Sequence, residues 1–384
     1  MEEVVVIDND RWEQLLELTD GAAAVCYQCG VCTAICPWGL VREETLSVRE
    51  IIRHAQLGIP NGNESIWLCT TCSQCEAYCP REVNIADVFL GLRYLAWQSN
   101  QPEAGLPKML WSIYWNNNPW EQPPSQRAHW QKDFTLPAFN PDEHEILYYV
   151  GCTTSYDRRA QQIGHALVRL FNAAGVKFGV LGDGEPCSGE EILSVGHKPY
   201  FKDVAKHAAE LFSQKDVGKL VTTSPHAYDV FLNHYPKVSD RFLPQHYTEF
   251  LAELIVDGRL KFDQKLEKKV AFQDPCYLAR HNNQNIAGSG ILHAIPGLEL
   301  VEMSNNGQDT LCCGGGGGRM WLETDSGERF SDLRVQQARE TEADVLATAC
   351  PYCLACLEDS CKAQKLKSIE VLDVAEIAVM ALGE

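Results

Sequence analysis

The chain has 384 residues, 45 % hydrophobic and 22 % charged, which allows two or three globular domains and argues against disorder. Its formal charge of −19 argues against nucleic acid, whose phosphates want a basic face, and suits solubility or docking onto a basic partner. Seventeen cysteines behind an acidic Met-Glu-Glu start, with no secretory signal and no membrane-length apolar run, point to metal in a reducing, anaerobic cytosol rather than to disulfides.

In chain order, Asp10 three residues before Glu13, followed by an apolar stripe, predicts a short opening helix. A cysteine-dense module then runs to about residue 97. Its first run is Cys26-x2-Cys29-x2-Cys32-x3-Cys36-Pro37 and its second is Cys69-x2-Cys72-x2-Cys75-x3-Cys79-Pro80. This is the bacterial ferredoxin spacing, in which three thiolates hold one cubane and the fourth crosses to the other. With that crossover, Cys26, Cys29, Cys32 and Cys79 bind one 4Fe-4S cubane, and Cys69, Cys72, Cys75 and Cys36 bind the second. Two structural zinc sites are the alternative, and the repeated x2, x2, x3-Pro pattern argues against them. Val48, Ile51, Ile52, Ala55 and Leu57 predict a helix over Ser47–Leu57 between the runs, and Ile85–Trp97 predicts a closing one.

Residues 98–145 are rich in Pro, Asn and Trp, including Trp111, Trp115, Trp120 and Trp130. Such a segment is expected to lie as a linker across domain surfaces, its tryptophans buried, without a long helix or central strand. From Glu145 strands and helices alternate. Ile146–Val150, Val176–Leu181 and Leu220–Thr223 read as strands, with helices at Arg158–Ala174 and Tyr200–Leu211. The pattern recurs in the strands Val270–Gln273, Leu298–Glu302 and Val345–Ala347 and the helix Phe330–Ala343. The expected architecture is α+β and multidomain. A helical two-cluster module (1–97) and the linker precede two pseudo-symmetric α/β domains with parallel sheets, at 146–260 and 268–384.

The last domain carries Cys276-x35-Cys312-Cys313-Gly314-x35-Cys350-x2-Cys353. Each cysteine follows a predicted strand, and the carboxyl ends of parallel strands converge on one crevice, so distant residues there can share a metal site. The preceding domain repeats these marks. Cys152 matches Cys276, Cys187-Ser188-Gly189 matches Cys312-Cys313-Gly314, and Ser224-Pro225-His226-Ala227 matches Cys350-Pro351-Tyr352-Cys353. The tails beginning at His246 and Asp373 match as well. Three of five cysteines have become Ser, Ser and Ala, so the first repeat is expected to be metal-free.

For the five-cysteine site, zinc or an ordinary cubane on four of the five remains open from the residues alone. The glycine run Gly314, Gly315, Gly316 through Gly318 lacks the Lys-Ser/Thr ending of a phosphate loop. It reads instead as backbone approaching the cluster, with Arg319 adding positive charge or lying at the surface. In the damaged repeat, Cys152, Cys187 and His226 could form a zinc site, or the two cysteines a redox pair, although packing is the default for leftover thiols. Tyr277, Arg280 and His281 are candidates for proton donation or anion binding, against a structural role. Cys356 and Cys361 read as packing thiols.

The two repeats resemble the cysteine-rich "CCG" domains of heterodisulfide reductase, and Cys26-Tyr-Gln-Cys29-Gly-Val-Cys32 with Trp67-Leu-Cys69-Thr-Thr-Cys72 resembles that enzyme's ferredoxin-like subunit. The whole order is similar to the fused catalytic subunit of heterodisulfide reductase. It is also similar to the iron–sulfur subunits of glycolate oxidase and anaerobic glycerol-3-phosphate dehydrogenase, and to those of the Dsr and benzoyl-CoA reductase complexes. The resemblance implies a noncubane 4Fe-4S cluster held by Cys276, Cys312, Cys313, Cys350 and Cys353, with Cys312 and Cys313 as the candidate catalytic ligands. It implies an oxidoreductase subunit, cytoplasmic or peripheral to the membrane through a flavoprotein or quinone-linked partner. Two cubanes would feed one CCG-type cluster. The alternative is a catalytic subunit that reduces a disulfide or thiol substrate at that cluster.

Overall fold

The structure, a computed structural model, describes residues 7–61, 63–237, 242–325 and 327–383. The acidic start Met1-Glu2-Glu3 lies outside them. The chain forms two compact units. The first comprises Met1–Lys108, Glu191–Tyr200 and Gly314–Phe330; the second comprises Met109–Glu190, Phe201–Cys313 and Ser331–Glu384.

The first unit is helical. Helix Asn9–Leu18 is capped by Asp8, whose carboxylate accepts from Arg11 N at 3.1 Å, so the cap lies two residues before the expected Asp10. Helix Val48–Gln56 buries Val48, Ile51, Ile52 and Ala55, the stripe that the sequence pattern marks. Helix Ile85–Gln98 is capped by Asn84 and carries Arg93, which is fully buried. Its guanidinium donates to the carbonyls of Cys69 (2.6 Å), Ile66 (3.0 Å), Ser194 (2.6 Å) and Gly317 (3.0 Å). One charged side chain thus ties two excursions from the later chain to the second cysteine loop. A buried cation is tolerated here because carbonyl oxygens satisfy its donors.

The second unit contains two parallel four-stranded sheets. The first comprises β1 (Ile146–Tyr149), β2 (Phe178–Gly179), β3 (Lys219–Thr222) and β4 (Leu243–His246), in the order β2-β1-β3-β4. The second comprises β5 (Lys269–Gln273), β6 (Glu299–Val301), β7 (Val345–Thr348) and β8 (Glu370–Asp373), in the order β6-β5-β7-β8. The central strands β1 and β7 are buried along their whole length, as parallel strands covered on both faces must be. In each sheet the connection reverses direction between the first and third strands, which opens a crevice at their carboxyl ends.

The structure departs from several expectations. The strand expected over Val176–Leu181 contracts to β2. Beside it, Val180 exchanges backbone hydrogen bonds with Pro137 and Phe139 of the linker, which closes that edge. The edge strands β4 and β8 are not evident from the sequence, being short and interrupted by Pro244 or flanked by charge. The linker contains an 11-residue helix, Leu106–Asn116, with Pro107 tolerated in its first turn. Its tryptophans are not uniformly buried: Trp130 packs edge-on against Tyr148, whereas Trp111 and Trp115 are 61 % and 72 % exposed.

The two repeats pack with approximate two-fold symmetry. The first long helix of each lies on the last helix of the other: Gln161–Ala173 on Val374–Met380, and Ala287–His293 on Tyr247–Val256. Tyr247 donates to Asp373 Oδ1 at 2.6 Å, and Arg159 joins Glu376 (2.8 Å), Glu358 and the Val371 carbonyl (2.9 Å). Among the described residues, no helix is long and apolar enough to cross a membrane.

Candidate metal centres

In the first unit, the two cysteine runs adopt one loop conformation twice. Gln28 and Gly30 in the first, and Thr71 and Ser73 in the second, take positive φ at equivalent positions. The curled backbone turns donors toward sulfur. Thr71 N lies 3.4 Å from Cys69 Sγ, and Val83 N lies 3.4 Å from Cys79 Sγ. A cavity lined by Cys36, Cys69, Cys72 and Cys75, with Trp38, Phe89 and Phe330, brings the fourth cysteine of the first run to the second. Burial pushes the Cys69 thiol up to about 12 and that of Cys75 well above the thiol range. Cys36 is likewise raised, by burial and then by Cys72 and Cys69. Conversely, Tyr27 feels both Cys29 and Cys79. Thiols this reluctant to ionise alone, grouped with inward N–H donors, suit iron that supplies the compensating charge.

The glycine run serves this unit. A Cβ on Gly316 would collide with the Thr70 carbonyl and one on Gly317 with that of Cys69, and Gly317 holds φ +61°. The sequence pattern assigns the run to the five-cysteine site; the close backbone approach that the structure shows is to the second ferredoxin loop. Arg319 lies over the Trp38 ring at 5.6 Å and donates to Thr324.

In the second unit, Cys276 opens the short helix after β5, and Cys350 precedes the helix Pro351–Ala363 after the adjacent strand β7. Cys353 lies in that helix's first turn, and its Sγ is 3.3 Å from Cys313 Sγ. All five cysteines, including Cys312, are buried. Hydrogen bonding to Cys313 and Cys350, with burial, pushes the Cys353 thiol well up. Cys350 runs the other way: burial opposes its ionisation, but Cys353 and His226 hold it well below the ordinary range. Cys312, Cys313, Cys350 and Cys353 lie together, with Cys276 buried at the end of the neighbouring strand, and this all-sulfur set fits an iron–sulfur group. Cys356, expected to be a packing thiol, is half-exposed and acts on Cys313. Cys361 is buried.

Arg334 has no signal in the sequence pattern. Its buried guanidinium hydrogen-bonds Gln273, Gln337 and the Asn305 carbonyl, while Nη2 makes no hydrogen bond among the described residues. Burial lowers its pKa to about 10 against the opposing pull of Asp274, Cys353 and Cys313. It places positive charge beside the thiolates. Arg280 instead secures the carbonyls of Gln308 and Thr310 ahead of Cys312, and Tyr277 stacks on His281 at 4.0 Å.

The damaged repeat holds something else at the corresponding place. Arg127, from the linker, is buried with Nη2 3.4 Å from Cys152 Sγ, 2.9 Å from Glu185 Oε1 and 3.4 Å from the Pro186 carbonyl. Burial opposes its charge, but Cys152 and Glu185 hold its pKa well above the ordinary value. Glu185 also accepts from Val150 N and Gly151 N, both at 2.9 Å. Ser224, the counterpart of Cys350, has become an ordinary helix cap, accepting from Ala227 N at 3.2 Å. His226 is not gathered with Cys152 and Cys187; it faces the intact repeat. Among the described residues, no three His, Cys, Asp or Glu side chains form a single-ion site.

Paired ferredoxin loops joined to two cysteine-rich α/β repeats define the class: a multidomain iron–sulfur protein. The 4Fe-4S dicluster domain family matches residues 22–83, and the Cysteine-rich domain family, CCG, matches twice, at 146–228 and 270–358. The chain thus contains a 4Fe-4S dicluster domain and two cysteine-rich CCG domains. It is 36 % identical over 329 residues to the "Probable iron-sulfur-binding oxidoreductase FadF" of Bacillus subtilis, covering 83 % of this chain and 47 % of that protein. It is 33 % identical over 338 residues to the "EtfAB:quinone oxidoreductase" of Syntrophomonas wolfei, covering 84 % and 47 %. The chain thus spans about half the length of these two relatives. It is 29 % identical over 404 residues to one chain of the dihydromethanophenazine:CoB--CoM heterodisulfide reductase of Methanosarcina barkeri, covering 96 % and 95 %.

Proposed function

We propose that this chain is the electron-transfer subunit of a larger oxidoreductase, with two cubanes leading to one CCG-type cluster and no cluster in the first repeat. The observation that carries this reading is the asymmetry of the repeats: five buried cysteines in the second, and Arg127 lodged between Cys152 and Glu185 in the first. Cys26, Cys29, Cys32 and Cys79 would hold one cubane; Cys69, Cys72, Cys75 and Cys36 would hold the other. Cys276, Cys312, Cys313, Cys350 and Cys353 would hold the third cluster, of the noncubane type. Bound there, the clusters supply one-electron redox steps; the protein supplies burial, donors to sulfur and compensating charge.

Electron entry fits the first ferredoxin loop. Cys29 is exposed there, and Val25, Tyr27, Val31 and Tyr78 add apolar surface around the two runs. The partner is a flavoprotein or a quinone-linked membrane protein, a reading supported by the name of the Syntrophomonas wolfei relative, an EtfAB:quinone oxidoreductase. The chain would then be cytoplasmic and held at the membrane through that partner.

Iron and sulfide analysis tests this. Three four-iron clusters predict about 12 of each per chain; about 16 would mean that the damaged repeat also binds a cluster, and about 8 would remove the CCG cluster. The competing assignment, disulfide or thiol reduction at the CCG cluster, predicts a thiol-dependent paramagnetic signal on oxidation that Cys313→Ser abolishes. Silence toward every thiol tested, with normal dye reduction, supports the relay.

A further inference from the structure

His226 stands in the first repeat where Tyr352 stands in the second, and the two rings meet across the approximate two-fold axis with centroids 4.8 Å apart. The His226 ring also lies 3.9 Å from Tyr277. Tyr277 directly follows Cys276, and Tyr352 lies between Cys350 and Cys353 in the chain. The imidazole therefore lies against the immediate neighbours of Cys276 and Cys353, and the second of these, Tyr352, is two residues from Cys350. It is 7 % exposed, and neither Nδ1 nor Nε2 makes a hydrogen bond among the described residues. Cys350 caps and Cys353 enters the first turn of the helix Pro351–Ala363 that carries Tyr352 against this ring. A buried imidazole with both nitrogens unpaired carries an unmet desolvation cost, and the acceptor at hand is sulfur.

We propose that His226 donates a ring N–H to the Cys350 sulfur of the CCG cluster, so that the repeat without a full ligand set contributes an outer-sphere donor to its partner's cluster. The inference rests on the reading that the five cysteines hold a cluster. An N–H donor withdraws negative charge from a thiolate and favours the reduced cluster, raising its potential. The adjoining Tyr277 ring, itself stacked on His281 at an interplanar angle of 7°, restricts how the imidazole can turn. His226 acts through Cys350 and is a positioning and tuning residue.

The test uses the full chain with its clusters, as wild type, His226→Phe and His226→Gln. Dye-mediated titration followed by electron paramagnetic resonance gives the CCG-cluster potential, and 15N-histidine labelling with pulsed resonance gives its nitrogen coupling. His226→Phe is expected to lower the potential by about 59 mV, a tenfold change in a one-electron equilibrium. The two cubanes should stay unmoved. His226→Gln, which keeps an N–H donor, should lie nearer wild type, and the wild type should show a weak 15N coupling that His226→Phe lacks. Equal potentials in all three proteins would overturn the inference, as would a coupling strong enough for direct iron ligation. Should a variant lose the cluster, the wild-type coupling decides alone. Wild-type iron near 8 per chain would instead sink the cluster reading itself.

Discussion

The two cysteine-rich repeats share strand order, helix placement and even the packing of each first helix on the other's last, yet their carboxyl-end crevices hold opposite chemistry. In the intact repeat, five thiols are buried, four of them close together, with Arg334 adding charge beside two. In the damaged repeat, two thiols remain, and a buried ion pair, Arg127–Glu185, stands beside Cys152. The lesson concerns what an α/β crevice requires. Removing ligands leaves strand-end amides and leftover sulfur facing a polar space, and Glu185 and Arg127 satisfy them with hydrogen bonds. The fold survives because its core lies in the strands and interlocked helices, away from the site.

The largest expected effect is on metal. Cys350→Ser should cost about four irons per chain, whereas Cys152→Ser should leave the iron count unchanged. Equal losses would erase the contrast between the repeats. Next comes an attempt at repair. Restoring Ser188→Cys, Ser224→Cys and Ala227→Cys together should bind no additional iron while Arg127 remains, and should gain iron once Arg127→Ala is added. A gain from the three cysteines alone would show that Arg127 does not guard the site.

A third experiment concerns stability. Removing one partner of a buried ion pair costs about 3–5 kcal/mol, so Arg127→Met should lower the denaturation midpoint clearly without changing iron content. Adding Glu185→Leu should recover part of the loss, measured by urea unfolding.

The smallest effect contrasts the matching helix caps, His246 and Asp373. His246 is neutral in the fold, with Nδ1 2.8 Å from Thr248 Oγ1 and Nε2 3.1 Å from the Thr223 carbonyl, and burial lowers its pKa to about 3. Because the unfolded side chain takes up a proton near 6.5, this stability is present above that pH and is lost as pH falls toward 3. Asp373 has the opposite sign: burial raises it to about 8, against the hydrogen bonds from Tyr247 and Ala375. Its contribution is present below its unfolded value near 3.8 and is lost as pH rises through 8. His246→Gln should therefore flatten the acid limb of the stability–pH curve below 6.5, and Asp373→Asn should remove a loss of stability that runs from near 3.8 up to about 8. Unchanged limbs would count against these assignments.

Much of this is legible in the residues. Doubled x2, x2, x3-Pro spacing, the buried stripe from Val48 to Ala55, and the repeat of Cys-Cys-Gly marks announce a two-cluster module and paired α/β domains. Short edge strands such as Leu243–His246 are not legible, because Pro244 and two polar residues mask a strand whose partner supplies the register. Arg127 is invisible for a similar reason. An arginine in a Pro- and Trp-rich linker reads as solvated, and only the folding back of that segment brings it 3.4 Å from Cys152, 25 residues on.

Sequence alone determined which cysteines are the candidate donors, since thiol chemistry and spacing are local properties of the chain, and with them the parallel α/β character of the repeats. Tertiary structure decided the rest: that Gly316 and Gly317 pack on the ferredoxin loop, that Arg127 fills the damaged crevice, and that His226 packs against Tyr277 and Tyr352 of the other repeat. Those outcomes depend on contacts between residues far apart in sequence. Burial gives such contacts their strength, by removing the water that would otherwise satisfy each charge and donor separately.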